Sequence, residues 1–128
     1  MARQSYWLTS ASLPRFPKLR QDGAVDVVII GGGITGITAA YLLKKAGRSV
    51  ALLERGRCAR ADTGHTTAHL TYVTDTRLSV LAKTFGTAHA QAAWDAGRAA
   101  MAQMRALVDE APIACGYATV PGYLHAPW

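Results

Sequence analysis

The sequence predicts an α/β fold built on one parallel βαβ unit, and three features carry that reading. A β-branched run, Val25-Asp26-Val27-Val28-Ile29-Ile30, reads as a strand buried on both faces of a parallel sheet. The turn Gly31-Gly32-Gly33-Ile34-Thr35-Gly36 follows it, and a second apolar run, Val50-Ala51-Leu52-Leu53, ends on the carboxylate of Glu54. The chain has 128 residues, half of them apolar, which fits one ordinary domain and excludes bulk disorder and a two-domain enzyme.

Residues 1–24 read as an extended N-terminal arm. They hold Arg3, Arg15, Lys18 and Arg20 together with Pro14 and Pro17, and show neither a two-residue nor a helical period. The formal net charge is +6, and ten of the 14 cations lie in residues 1–60 against three anions. No helix-turn-helix, zinc or RNA-binding motif accompanies these cations, so they read as a solvated arm, with no nucleic-acid partner expected. Between the two strands Ile37, Ala40, Tyr41, Leu42 and Leu43 recur at helical spacing. Lys44, Lys45 and Arg48 suit the negative end of that helix, and Gly47 supplies its stop, so residues 25–54 form the βαβ unit.

A Thr/Gly/His-rich loop is expected over 56–75. A short helix over 76–84 and a long one over 87–110 follow, the latter with Trp94, Gly97, Met101, Met104 and Val108 on one face until Pro112 stops it. Tyr117, Thr119, Tyr123 and Leu124 about Pro121-Gly122 read as a β-hairpin over 115–126. The strongest apolar run is Val27-Val28-Ile29-Ile30, far below the roughly 18 residues of a membrane span. With no signal-like segment either, a cytoplasmic protein is expected. Cys58 and Cys115 lie in no metal-ligand spacing and read as reduced thiols, and no metal site is expected.

The glycine string alone is a weak signal, but here a strand precedes it, a helix follows it and an acid ends the next strand. That is a Rossmann-like, FAD- or NAD(P)-binding unit. Gly31 permits the tight turn, Gly33 lets a pyrophosphate approach the backbone, and Gly36 lets helix and sheet lie close. The helix beginning near Ile34 and Thr35 aims unpaired N–H groups at the phosphates. Glu54 is placed to accept hydrogen bonds from an adenosine ribose. The cofactor-binding residues expected here are Gly31, Gly32, Gly33, Ile34, Thr35, Gly36 and Glu54. NAD and FAD present the same ADP group, so these residues leave both open.

The segment Val25 to Glu54 resembles the N-terminal unit of FAD-dependent oxidoreductases of the D-amino-acid oxidase and glycine oxidase superfamily. The leader Ser5-Tyr6-Trp7, the stretch 63–71 and Val120-Pro121-Gly122-Tyr123-Leu124 look most like a bacterial subgroup whose flavin domain is followed by a Rieske iron–sulfur domain. The resemblance implies FAD as cofactor, Arg55 on the adenine side, and Thr66 and Thr67 near the flavin or its phosphates. His65 and His69 fit the covalent flavin motifs of relatives poorly and read as ordinary loop histidines. Enzymes of this superfamily run to several hundred residues, so residues 25–128 are expected to be the N-terminal portion of a FAD-binding domain, an incomplete one. No Rieske ligand pairs occur in the sequence.

The function expected is the FAD-binding region of an oxidoreductase that oxidises a small amine or amino acid by hydride transfer to flavin. Its catalytic residues are unassigned. The alternatives are a truncated, non-catalytic fragment, or an NAD-binding module acting with a partner chain. Met101, Met104 and Trp94 read as helix core and Cys58 as a plain loop thiol.

Overall fold

The computed structural model describes residues 5–123. The chain divides into two compact units, Met1–Ala68 and His69–Trp128.

In the first unit, β1 (Val27–Ile30) and β2 (Val50–Leu53) pair in parallel, with Val27 opposite Val50 and Ile30 opposite Leu53. The helix α2 (Ile34–Lys45) crosses between them, and Gly47, at φ 79°, ends it as expected. β2 spans its whole apolar run, whereas β1 is two residues shorter than the run that starts at Val25. The reason is local at the start of β1, where Asp26 and Ser49 form a reciprocal clamp. The Ser49 N–H and hydroxyl both donate to Asp26 Oδ2 at 2.8 Å, and the Asp26 N–H donates to Ser49 Oγ at 2.9 Å. This clamp pins the register at the point where the two strands enter the sheet.

The Ser49 N–H, and after it the Ser49 hydroxyl, hold the Asp26 carboxyl below the usual carboxylate range. A lowered folded-state value means that the clamp stabilises above the unfolded carboxylate value, and that its contribution is lost as pH falls through the lowered one. Asp26→Asn is expected to lower the melting midpoint at pH 7 and to leave no difference from the parent at strongly acid pH. Thermal melts at the two pH values check it; an equal deficit at both would remove the ionic clamp from the account.

The sheet is covered on one side only. Ile29 faces α2, standing against Gly36, while Val28 and Ile30 on the opposite face are 54% and 88% exposed. Parallel strands ordinarily have both faces covered, so this bare face is that of a partial Rossmann-like domain.

The N-terminal segment is not extended throughout. Tyr6–Thr9 forms one helical turn, α1, which packs on a 3-10 turn at Asp62–His65 within the loop that follows β2. A four-residue helix cannot hold itself in water; this one is held by its contacts, which no periodicity announces.

In the second unit, α3 (Leu78–Phe85) and α4 (Thr87–Glu110) pack together, separated by Gly86. On α4 the expected face of Trp94, Gly97, Met101, Met104 and Val108 is the half-buried one. Tyr72 lies edge-on to Trp94, ring centroids 5.2 Å apart, and its Cβ sits where a side chain on Gly97 would have to go. The hairpin expected over 115–126 is not formed in its described part. Residues 115–123 hold no strand, and Leu124 to residue 126 lie outside the described residues. Tyr117 instead stacks under the Arg105 guanidinium of α4, 5.4 Å from ring centroid to cation. A lone two-stranded hairpin is marginal in water, and this contact competes with it. Among the described residues no helix is long and apolar enough to cross a membrane.

Candidate functional site

The turn from β1 into α2 is where the sequence places its chemistry. Gly31 has φ 108°, in the region that side-chain-bearing residues avoid, and its N–H donates to the Leu53 carbonyl at 2.8 Å. That bond ties the turn to the end of β2. Gly33 is the N-cap of α2, with no side chain to cap it. The N–H groups of the first turn, among them those of Thr35 and Gly36, have no carbonyl of their own helix to meet, and so point outward as donors.

Glu54, one residue beyond β2, closes on this turn. Its Oε2 accepts the Gly32 N–H and its Oε1 the Gly56 N–H, each at 2.7 Å. The Gly56 bond first, then the Gly32 bond, hold its carboxyl below the usual range, and Arg55 adds to the effect. A carboxylate oxygen carries more than one acceptor position, so both backbone bonds leave room for hydroxyl donors.

The loop 55–66 forms the other wall. The Ala59 N–H donates to the Gly32 carbonyl at 2.8 Å, and Thr63 Oγ1 accepts the Ile34 N–H at 3.0 Å. Thr63 thus supplies the cap that Gly33 lacks. Gly32 is buried here: a Cβ on it would stand 2.8 Å from Cys58 Sγ, so Cys58 is packing for the turn. Arg60 in the same loop keeps a buried Nε with no hydrogen-bond partner among the described residues.

The structure therefore gathers Gly31, Gly32, Gly33, Ile34, Thr35, Gly36 and Glu54 into one constellation, with Arg55 exposed beside it. It does not tie Thr66 or Thr67 to the glycine turn by any hydrogen bond among the described residues. The Thr66 carbonyl takes the Trp7 indole N–H and its hydroxyl takes the Ala68 N–H. His65 Nδ1 lies 3.0 Å from the Ala61 carbonyl, as a loop histidine would. Thr63 is the residue that sequence reading missed; the N-cap glycine, which needs a hydroxyl from elsewhere, was the available signal.

Beside Glu54 lies an open cleft of about 1510 Å³ between the arm residues 13–21 and the end of the sheet. Arg15, Lys18, Arg20, Arg55 and Arg57 line it, with Glu54 as the single carboxylate. That balance suits an anionic, ribose-bearing ligand. Open donors at the helix start, an acid at the strand end and surrounding cations are what an ADP group requires.

The sequence profile of FAD-dependent oxidoreductases matches residues 26–128. The chain belongs to that family. FAD is accordingly the cofactor of this flavoprotein, which removes the choice between FAD and NAD that the glycines left open. Over 124 residues, 97% of the chain, the flavoprotein is 41% identical to a Bacillus subtilis protein named as a Rieske 2Fe-2S iron-sulfur protein, YhfW, of which it covers 24%. This likeness bears out the resemblance to the Rieske-bearing subgroup. The chain thus spans about a quarter of that relative's length. It is also 62% identical over 29 residues, 23% of the chain, to a flavin-containing monoamine oxidase A of Dictyostelium discoideum, covering 6% of that protein. A third likeness is to squalene epoxidase 4 of Arabidopsis thaliana, 53% identical over 36 residues, 28% of the chain and 7% of that protein. The last two matches have the length of a single βαβ unit. No solved structure matches the chain.

Proposed function

We propose that this chain is the FAD-binding region of an oxidoreductase acting on a small amine or amino acid, with Gly31–Gly36 holding the pyrophosphate and Glu54 the adenosine ribose. The observation that carries the placement is the Glu54 carboxylate bonded to the Gly32 N–H at the mouth of the glycine turn. The amine or amino-acid substrate rests on the resemblance to D-amino-acid oxidase and glycine oxidase. When bound, FAD supplies a flavin N5 that accepts hydride from the substrate carbon.

The chain's own groups bind and orient. The first-turn N–H groups of α2 neutralise phosphate charge, Gly33 leaves space for it, Thr63 and Arg60 border it, and Arg55 flanks the adenine side. Arg57 and the arm cations raise the local concentration of the anionic ligand.

Glu54→Gln tests the placement. An amide keeps one acceptor oxygen and sets an NH2 against a backbone N–H, so one of the two loop bonds is lost and the ribose loses a charged acceptor. FAD affinity is expected to fall about 10- to 100-fold by titration calorimetry. In the parent, affinity should hold through neutral pH and decline as pH falls through the lowered Glu54 value; the Gln variant should show no such step. Equal affinities would make Glu54 a strand-end acid and no more.

A second reading, that the chain holds FAD but performs no oxidation by itself, is favoured by the bare sheet face around Ile30. Anaerobic bleaching of the bound flavin by amines or amino acids separates the two: reduction supports the oxidase reading, whereas stable yellow protein supports the holder.

A further inference from the structure

We propose that the N-terminal segment is a clamp that sets the cofactor-binding loop, with Trp7 as its positioning residue. The inference rests on the site proposed above and adds to it residues that lie outside the βαβ unit.

The segment grips the loop at three places. The Trp7 indole N–H donates to the Thr66 carbonyl at 2.6 Å. Leu8 closes over Gly64, which is buried: a Cβ there would come 2.6 Å from Leu8 Cδ2 and 2.7 Å from the Ala59 carbonyl oxygen. Farther along, Arg57 Nη2 donates to the Leu13 carbonyl at 3.2 Å. Tyr6 braces the indole edge-on, with ring centroids 5.0 Å apart.

The gripped loop does not hold itself. Ala59 and Ala68 have φ of 55° and 57°, left-handed backbone at two residues that carry a Cβ, one on each side of the gripped stretch. Such conformations persist only where surrounding contacts over-determine them. Between those two alanines sits Thr63, whose hydroxyl meets the Ile34 N–H, and Ala59 itself donates to the Gly32 carbonyl. The grip of Trp7 on Thr66 is therefore transmitted within a few residues to the two bonds by which this loop meets the glycine turn and the start of α2. Loosening it frees Thr63 from the start of α2 and misaligns the donors that would face the pyrophosphate, although the Trp7 indole N–H bonds to Thr66 and not to the turn itself.

The test uses the full chain and Trp7→Phe, which keeps a ring and removes the indole N–H. FAD and ADP affinities are measured by calorimetry, and amide hydrogen exchange is followed in the protein without added ligand. The expected result is an affinity for both ligands lowered about tenfold. Faster exchange should be confined to Ala59, Ile34 and residues 63–66, with the β1 and β2 amides as protected as in the parent. Arg57→Met releases Leu13 but also removes a cation that lines the cleft, so its readout is exchange alone: it should reproduce the confined exchange pattern, which covers the case in which the Trp7 variant fails to fold. Unchanged exchange in both variants, with unchanged affinity in Trp7→Phe, overturns the clamp. So does an affinity loss accompanied by uniform loss of protection through β1 and β2, since that reports a merely structural role. If the parent binds neither FAD nor ADP, the proposed site falls, and the exchange pattern alone decides the clamp.

Discussion

Replacing Gly36 with alanine is expected to unfold the βαβ unit. The new Cβ would be driven into the carbonyl oxygen of Gly31 and would stand 3.2 Å from its carbonyl carbon and 3.3 Å from Ile29 Cγ2. The first two obstacles are backbone, and that backbone cannot yield. Gly31 is fixed at φ 108° and its N–H is bonded to Leu53 at the end of β2. Relief requires α2 to lift away from β1. Alanine is the better helix former by about 1 kcal/mol, but overpacking against an immovable neighbour costs about 1–3 kcal/mol, and more where no side chain can rotate aside. The clash wins. A two-stranded sheet with a bare face has little stability in reserve, so far-UV circular dichroism should show loss of cooperative unfolding, and flavin retention should go with it. A variant as stable as the parent would mean that α2 can lift from the Gly31 carbonyl at no cost to the fold.

Gly36 was legible because close approach of a helix to its strand leaves one small-residue position at a fixed place after the turn. The same holds for the βαβ unit as a whole: β-branched residues, glycines and the helical spacing of Ile37, Ala40 and Leu43 are local signals that local geometry obeys. Glu54 was legible as a strand-end acid, whereas its two backbone bonds were not, because Gly32 and Gly56 become its partners only once β2 lies beside β1. Thr63 escaped for a related reason. The stretch 56–71 has no period, and three further threonines, Thr66, Thr67 and Thr71, share its composition. Only the fold decides which hydroxyl reaches Ile34. Around α1, the cations and prolines dominate the composition of the arm and mask a turn whose order comes from Trp7 and Leu8 meeting residues some sixty positions away. At 115–123 the alternation of Tyr117 and Thr119 pointed to a strand, but a strand needs a partner, and Tyr117 found Arg105 instead.

Gly33→Val should separate the cofactor site from the fold. A Cβ at this position meets only Thr63 Oγ1, at 3.4 Å, an ordinary contact, and the backbone at φ −81° and ψ −177° is extended, which valine adopts readily. Neither glycine nor valine offers an N-cap oxygen, so Thr63 remains the cap and the cost to α2 is small, within about 1 kcal/mol. The variant should therefore melt within a few degrees of the parent. Its two methyl groups, however, project from the N-cap of α2, where the proposed pyrophosphate must approach the backbone to reach the first-turn donors. Losing that approach forfeits several charge-assisted hydrogen bonds at once, and FAD affinity is expected to drop by about 100-fold or more. Purified variant that is folded but colourless, beside yellow parent, is the expected outcome. Folded variant that retains flavin at parental affinity would place the phosphates away from Gly33 and remove the turn from the cofactor site, because no adjustment of Thr63 could make room for both the methyl groups and a diphosphate.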